Sequence, residues 1–251
     1  MDTTDTTDTG TDTTDSIDTT TPGIRNVVLV HGAFADGSGW RGVHDLLTAR
    51  GHRVTVVQNP LTSLEDDVAA TRRVLDRQDG PTVLVGHSWG GTVITEAGTH
   101  DRVAALVYVA ALVPDSGQTS GEQYDGFAAT PDFVIDVGED GFGFLDHATF
   151  QQGFAADVDD AEAAFMRDTQ VPVAMAVFAQ PVTEAAWHTR PSWAVWGTED
   201  KAFDQAMLRH MAERAGATIT TVAGSHAVYV TQAETVADVI TDAAGKAAAE
   251  G

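Results

Sequence analysis

The sequence predicts an α/β fold: a doubly wound, mostly parallel sheet of about six strands with an inserted helical cap. Short β-branched runs alternate with longer helical patterns, which is how parallel sheets flanked by helices read in sequence. These runs lack polar alternation, so both faces of the sheet are expected to be covered. One run passes through Gly86-His87-Ser88-Trp89-Gly90 directly into a helical pattern. A sharp turn from strand to helix at such a place lifts a serine hydroxyl above the sheet.

The first strand is Asn26–Val30, nearly all apolar, and a helix around Gly39–Arg50 follows it and stops at Gly51. Arg53–Val57 and Leu64–Arg77 repeat the unit, and Thr82–Val85 leads through the serine turn to a helix near Trp89–Thr99. Ala104–Val109, Ser192–Trp196 and Thr218–Val222 complete the strands, with helices at Asp204–Ala215 and Thr231–Ala243. Right-handed crossovers wind these helices onto both faces. Ala243–Gly251, with Gly245 inside it, reads as a fraying helix end.

The rhythm breaks between Val113 and Arg190, where most of the ten phenylalanines lie among glycines and aspartates. A loop of that length without its own structure is rare in a compact domain. A mostly helical cap is therefore expected over 114–190, its aromatics shared between internal packing and a pocket facing the sheet. The core is expected over 24–113 and 191–251. Residues 1–23 are an Asp/Thr-rich leader with too little apolar surface to bury, and are expected to be disordered.

Composition excludes several classes. No run among the 251 residues approaches the roughly 18 apolar residues of a membrane span. The absence of cysteine removes disulfides, thiolate metal sites and a cysteine nucleophile together. A net charge of −23 repels polyanions, so neither nucleic acid nor an anionic membrane surface is expected as a partner. Such a surface serves solubility; at high ionic strength screening also relieves its self-repulsion, which makes salt adaptation a second reading. The leader lacks the charged start and apolar core of a signal peptide, so a cytoplasmic location is expected.

The chemistry centres on Ser88. A serine hydroxyl needs a base to remove its proton and a carboxylate to fix that base's tautomer. On this kind of sheet the chain order is serine, acid, histidine. His226, in Gly224-Ser225-His226 after the last strand, is the best placed of the nine histidines. Asp200 follows the penultimate strand in Gly197-Thr198-Glu199-Asp200 and is the expected acid, with Asp115 in Pro114-Asp115-Ser116 as the alternative. The oxyanion requires backbone donors. The expected ones are the N–H of Trp89, at the start of the helix, and that of Ala33, in His31-Gly32-Ala33-Phe34 after the first strand. His31, Phe34 and Trp187 are the candidate substrate-binding residues.

Other motifs fit poorly. Gly37-Ser38-Gly39-Trp40-Arg41-Gly42 spells a dinucleotide fingerprint, but it begins well past its strand and the next strand lacks the ribose-binding acid. The serine turn lacks the lysine of a phosphate loop. Glu65-Asp66-Asp67 and Asp157-Val158-Asp159-Asp160 read as solvated helix starts, where the macrodipole favours acids. Calcium loops would need a glycine and a distal glutamate that are missing. No cofactor and no metal are expected.

Taken together, Val28-Leu29-Val30-His31-Gly32-Ala33, Ala49-Arg50-Gly51-His52-Arg53-Val54-Thr55, Val85-Gly86-His87-Ser88-Trp89-Gly90-Gly91 and the Asp200 and His226 loops resemble a small α/β-hydrolase. They resemble especially the group that contains plant methyl esterases, hydroxynitrile lyases and their bacterial esterase relatives. The likeness spans about residues 26–113 and 191–242 and leaves the cap and leader unmatched. It implies a serine esterase acting on a small-molecule ester. The lyases of this group carry a threonine after the first-strand histidine and a lysine after the catalytic one. Here Gly32 and Ala227 stand there, which favours the esterase. A cofactor-free perhydrolase or haloperoxidase using the same triad, and a small-ligand sensor on the same fold, remain the alternatives.

Overall fold

The computed structural model describes residues 23–250, so the leader expected over 1–23 lies outside the described residues except for Gly23. The chain runs through β1 (Asn26–Val30), α1 (Arg41–Ala49), β2 (Arg53–Val57), α2 (Leu64–Leu75), β3 (Thr82–His87), α3 (Gly90–Ala97) and β4 (Val103–Val109). An inserted segment follows, with β5 (Ile135–Val137), β6 (Phe142–Leu145), α4 (Phe150–Phe154), α5 (Asp160–Asp168) and β7 (Val173–Ala174). The chain then returns through β8 (Ser192–Gly197), α6 (Gln205–Arg214), β9 (Thr218–Val222), α7 (Val228–Thr231) and α8 (Ala233–Glu250).

The predicted fold class holds. Six strands pair in parallel in the order β2-β1-β3-β4-β8-β9. β1, β3 and β8 are buried along their whole length, as their unbroken apolar runs require. β2 and β9 depart from the expected two-sided burial, because as edge strands they are only partly covered and leave Arg53, Thr55, Thr218 and Thr221 exposed. Right-handed crossovers place α1 on one face and α2, α3 and α6 on the other, and α8 returns to pack with α1.

Local chemistry sets the helix ends. Ser63 caps α2 by accepting from the Asp66 N–H at 3.0 Å, with acids in its first turn and Arg72 and Arg73 in its last. Asp204 caps α6 by accepting from the N–H groups of Ala206 and Met207 at 2.9 and 3.1 Å. The C-terminal segment does not fray as expected. α8 continues through Gly245, Ala243, Ala244 and Ala247 are buried, and the Ala244 carbonyl accepts from Ile24 N at 3.0 Å. Small alanines let this last turn lie against the core.

The inserted segment also differs from expectation. It is not mostly helical, because β5, β6 and β7 form a three-stranded antiparallel sheet beside the short helices α4 and α5. Strands of two to four residues carry too few positions to display a period of two, and Gly143 interrupts one of them.

Strand order reverses between β1 and β3, so the loops leaving their carboxyl ends run to opposite sides. Ligands of open α/β sheets bind in the crevice outside such a switch point. The His31–Ala35 loop and the Ser88 turn lie there.

Candidate active site

Ser88 follows β3 directly, and its φ of 53° lies in the left-handed region, where a side chain costs about 1–2 kcal/mol. The turn is tight enough to require glycine on both sides. A Cβ on Gly86 would strike the Gly90 carbonyl, and one on Gly90 would come within 2.7 Å of the Val30 carbonyl oxygen. Backbone bonds hold the strained residue. The Ser88 N–H donates to Val109 O at 3.2 Å, and its carbonyl accepts from Gly91 N at 3.0 Å and Leu112 N at 3.2 Å. The turn is thus strapped to β4 and the chain just beyond it.

Asp200 and His226 come together from the loops after β8 and β9. His226 Nδ1 lies 2.8 Å from Asp200 Oδ2, with both side chains fully buried. Asp200 Oδ1 accepts from the N–H groups of Ala202 and Phe203 at 2.8 and 2.9 Å, which fixes the carboxylate plane. With the Nδ1 proton directed at the carboxylate, Nε2 is the nitrogen left to accept a proton. It is buried and has no partner among the described residues. Phe203, Phe154 and Phe133 surround the ring edge-on, with centres 4.9, 5.0 and 6.1 Å away. Behind it sits His87, which burial drives far below the usual imidazole range and so keeps neutral beside the base. Asp115, the alternative acid, is engaged elsewhere: its carboxylate pairs with His188 Nε2 at 2.7 Å.

Ser88 opens onto a cavity of about 240 Å³. Ala33, Phe34, Trp89 and Leu112 from the core line it, as do Tyr124, Thr130, Phe133, Ile135 and Phe178 from the insert and Phe203 after β8. No cation is among these residues. The amides of Ala33 and Trp89 donate to no protein acceptor among the described residues, which leaves both available beside Ser88. A larger open groove of about 620 Å³ runs along α2, but neither Ser88 nor His226 is on its wall.

Two of the expected substrate-binding residues lie off the cavity wall. His31 is buried behind the site, where Nδ1–H donates to Gly32 O at 2.9 Å and Nε2 accepts from Asn59 N at 2.8 Å. It ties the loop after β1 to the end of β2 and does not line the cavity. Trp187 also lies away from the cavity, with its Nε1–H donating to Pro114 O at 2.9 Å and its ring beside His188. Phe34 does line the cavity, with a φ of 60°.

Other residues belong to the site without having been singled out. The phenylalanine-rich stretch signalled an aromatic wall but not which rings would form it. Asp67, grouped with solvated carboxylates at a helix start, is fully buried instead. It accepts from Leu61 N and Trp89 Nε1, each at 2.8 Å, and burial pushes its pKa up to about 6. Among the described residues no group of three or more His, Asp or Glu could hold a metal ion, and no helix is long and apolar enough to cross a membrane.

A model of the alpha/beta hydrolase family matches residues 27–239, most of the described chain. The chain belongs to the alpha/beta hydrolase family. Among curated members it is similar to the pyrethroid hydrolase of Sphingobium wenxiniae, at 35% identity over 109 residues, covering 38% of this chain and 39% of that protein. Salicylic acid-binding protein 2 of Nicotiana tabacum is 32% identical over 119 residues, covering 40% of this chain and 46% of that protein. The matched stretch thus spans less than half of either relative. A solved pyrethroid hydrolase from Sphingobium faniae superposes with a TM-score of 0.79 at 24% identity, covering 91% of this chain and 100% of that one. At that identity the likeness bears on the fold alone.

Proposed function

We propose that this family member is a serine hydrolase that cleaves a small to medium carboxylic ester through an acyl-enzyme. The strongest support is the buried Asp200–His226 hydrogen bond of 2.8 Å, which leaves Nε2 without a partner among the described residues, while Phe133 and Phe203 stand both against the His226 ring and on the wall of the cavity that Ser88 lines. Ser88 Oγ attacks the ester carbonyl while His226 Nε2 takes its proton. The N–H groups of Ala33 and Trp89 hold the oxyanion. As the tetrahedral intermediate collapses, the carbon–oxygen bond to the alcohol breaks and His226 returns the proton to the departing oxygen. Water, deprotonated by His226, then releases the acyl group and restores Ser88. Neither cofactor nor metal takes part in these steps.

The cavity narrows the substrate. Its 240 Å³ falls below the 300–1,000 Å³ common for ligand pockets, and its wall is aromatic and without cations. A compact, neutral ester fits it better than a long-chain or anionic one. Residues 114–190 act as a cap over a core of 24–113 and 191–251, since Tyr124, Thr130, Phe133, Ile135 and Phe178 all reach the cavity from them.

The test is labelling by a fluorophosphonate probe, read by intact mass on wild type and on Ser88→Ala, with an ester panel alongside. Labelling and ester turnover both lost in the variant support the reading. A folded wild type that neither labels nor turns over p-nitrophenyl acetate would overturn it in favour of a ligand sensor.

A further inference from the structure

Trp89 supplies one of the two expected oxyanion amides, and its indole is held by a buried carboxylate. Asp67 Oδ2 accepts from Trp89 Nε1 at 2.8 Å, while Asp67 Oδ1 accepts from Leu61 N at the same distance. Leu61 is itself strained, with a φ of 57°, and its carbonyl accepts from Ala174 N, at the end of β7, at 3.0 Å. Trp89 meets the insert a second time through Phe178, edge-on at 5.3 Å, and both residues line the cavity. One side chain therefore joins three parts of the molecule: the serine turn, the loop after β2, and the insert anchored to that loop.

A carboxylate in this position has a cost. Asp67 is fully buried with no cation bonded to it, and a hydrophobic residue would fill the space at the first turn of α2 without desolvating a charge. Its two bonded donors are the indole beside the nucleophile and the amide of a strained residue. Its two oxygens take one donor each.

We infer that Asp67 is a positioning residue for ester hydrolysis, setting the Trp89 side chain and through it the amide that receives the oxyanion. This rests on the proposed hydrolase reading. The indole is fully buried against Asp67 and Phe178, and a shift of it would displace the residue whose N–H must point at the reacting oxygen. Donors of this kind act only when aimed where the charge develops.

The experiment is a double-mutant cycle of Asp67→Asn and Trp89→Phe, reading kcat and KM on p-nitrophenyl acetate and the rate of fluorophosphonate labelling. Asparagine keeps the size of the side chain but offers only one acceptor oxygen. Phenylalanine keeps a ring and the backbone amide but removes the indole donor. Asp67→Asn is expected to lower kcat about tenfold, short of the 10²–10³ lost with an oxyanion donor outright, and to leave KM within about twofold. In the Trp89→Phe background the same substitution is expected to change kcat little. An equal loss of kcat in both backgrounds, tracking a fall in melting temperature, would overturn the inference and leave Asp67 a stability residue. So would an unchanged kcat in the single variant.

A second readout does not need turnover. Hydrogen exchange at the Trp89 indole N–H, assigned by its disappearance in Trp89→Phe, is expected to accelerate in Asp67→Asn. If wild type neither labels nor hydrolyses esters, the hydrolase reading has failed by itself. Slow indole exchange in wild type that speeds up in Asp67→Asn would then still establish the hold on Trp89, and unchanged exchange would refute it.

Discussion

The His87 and His226 rings lie 4.7 Å apart, and His87 Nε2–H donates to the main-chain carbonyl of His226 at 3.1 Å. The residue before Ser88 thus supports the loop that carries the proposed base. Nucleophile and base are tied together by one side chain from within the serine turn. The opposite nitrogen, Nδ1, is buried without a partner, so only the neutral Nε2–H tautomer suits the position.

Removing that donor should be felt in turnover. Losing a buried hydrogen bond and leaving the His226 carbonyl unpaired costs about 1–3 kcal/mol. His87→Leu is expected to lower kcat about tenfold or more. His87→Gln, whose amide can reach as Nε2 does, should recover most of the loss. Steady-state kinetics with thermal melts separate the two, and equal activity in both variants would count against the tie.

The strain at Ser88 predicts a trade between stability and activity. Ser88→Gly removes the Cβ from a residue at φ 53° and should stabilise the fold by about 1 kcal/mol while abolishing ester turnover. Ser88→Ala keeps the strain, so it should lose activity without that gain. Urea denaturation of the three proteins provides the check.

Buried ionisable groups set the pH dependence of stability in opposite directions. Burial lowers the pKa of His31, His52 and His87. Below about pH 6.5 the unfolded chain takes up protons that these residues refuse in the fold, so stability falls with acid. Asp67 works the other way. Its pKa, raised by burial from 3.8 to about 6, lets the fold keep a proton that the unfolded chain has released, and that stabilisation disappears as pH rises through 6. Three histidines outweigh one carboxyl, so the melting temperature should drop between pH 7 and pH 5. In Asp67→Asn the drop should be steeper, since the opposing group is gone. A parallel pair of profiles would contradict this assignment.

The cavity sets a length limit on the acyl chain. Turnover should be highest for p-nitrophenyl acetate and propionate and fall by about an order of magnitude at the octanoate. Phe133 stands edge-on to Phe34 at 6.2 Å on the cavity wall. Phe133→Ala should therefore shift the optimum to longer chains. A p-nitrophenyl hemisuccinate, anionic at its far end, should be poor in both proteins, and good turnover of it would contradict the neutral-ester reading.

The parts of this structure legible in sequence are those with strong local signals. Short β-branched runs located the six parallel strands to within a residue or two, and the glycine pattern around Ser88 located the turn between β3 and α3. The insert was opaque because β5, β6 and β7 are too short to display the period that would betray them. His31 and Trp187 were drawn to the pocket by residue type alone, whereas their hydrogen bonds to Asn59 and Pro114 are long-range and leave no trace in local pattern. Asp67 failed for a related reason. An aspartate in the first turn of a helix satisfies the macrodipole whether it faces water or the core, and only the fold brings Leu61 and Trp89 to it.

Under the proposed chemistry the aromatic wall governs the end of each cycle as well as its start. A neutral ester enters a chamber of Phe34, Phe133, Phe178, Phe203 and Trp89, and hydrolysis turns its acyl half into an anion there. A carboxylate among these rings has no cation to meet, and the −23 charge of the chain repels it further. The chamber ejects what it makes. Accumulating acid should not slow such an enzyme, and the reaction can run far toward completion without another protein to clear its product.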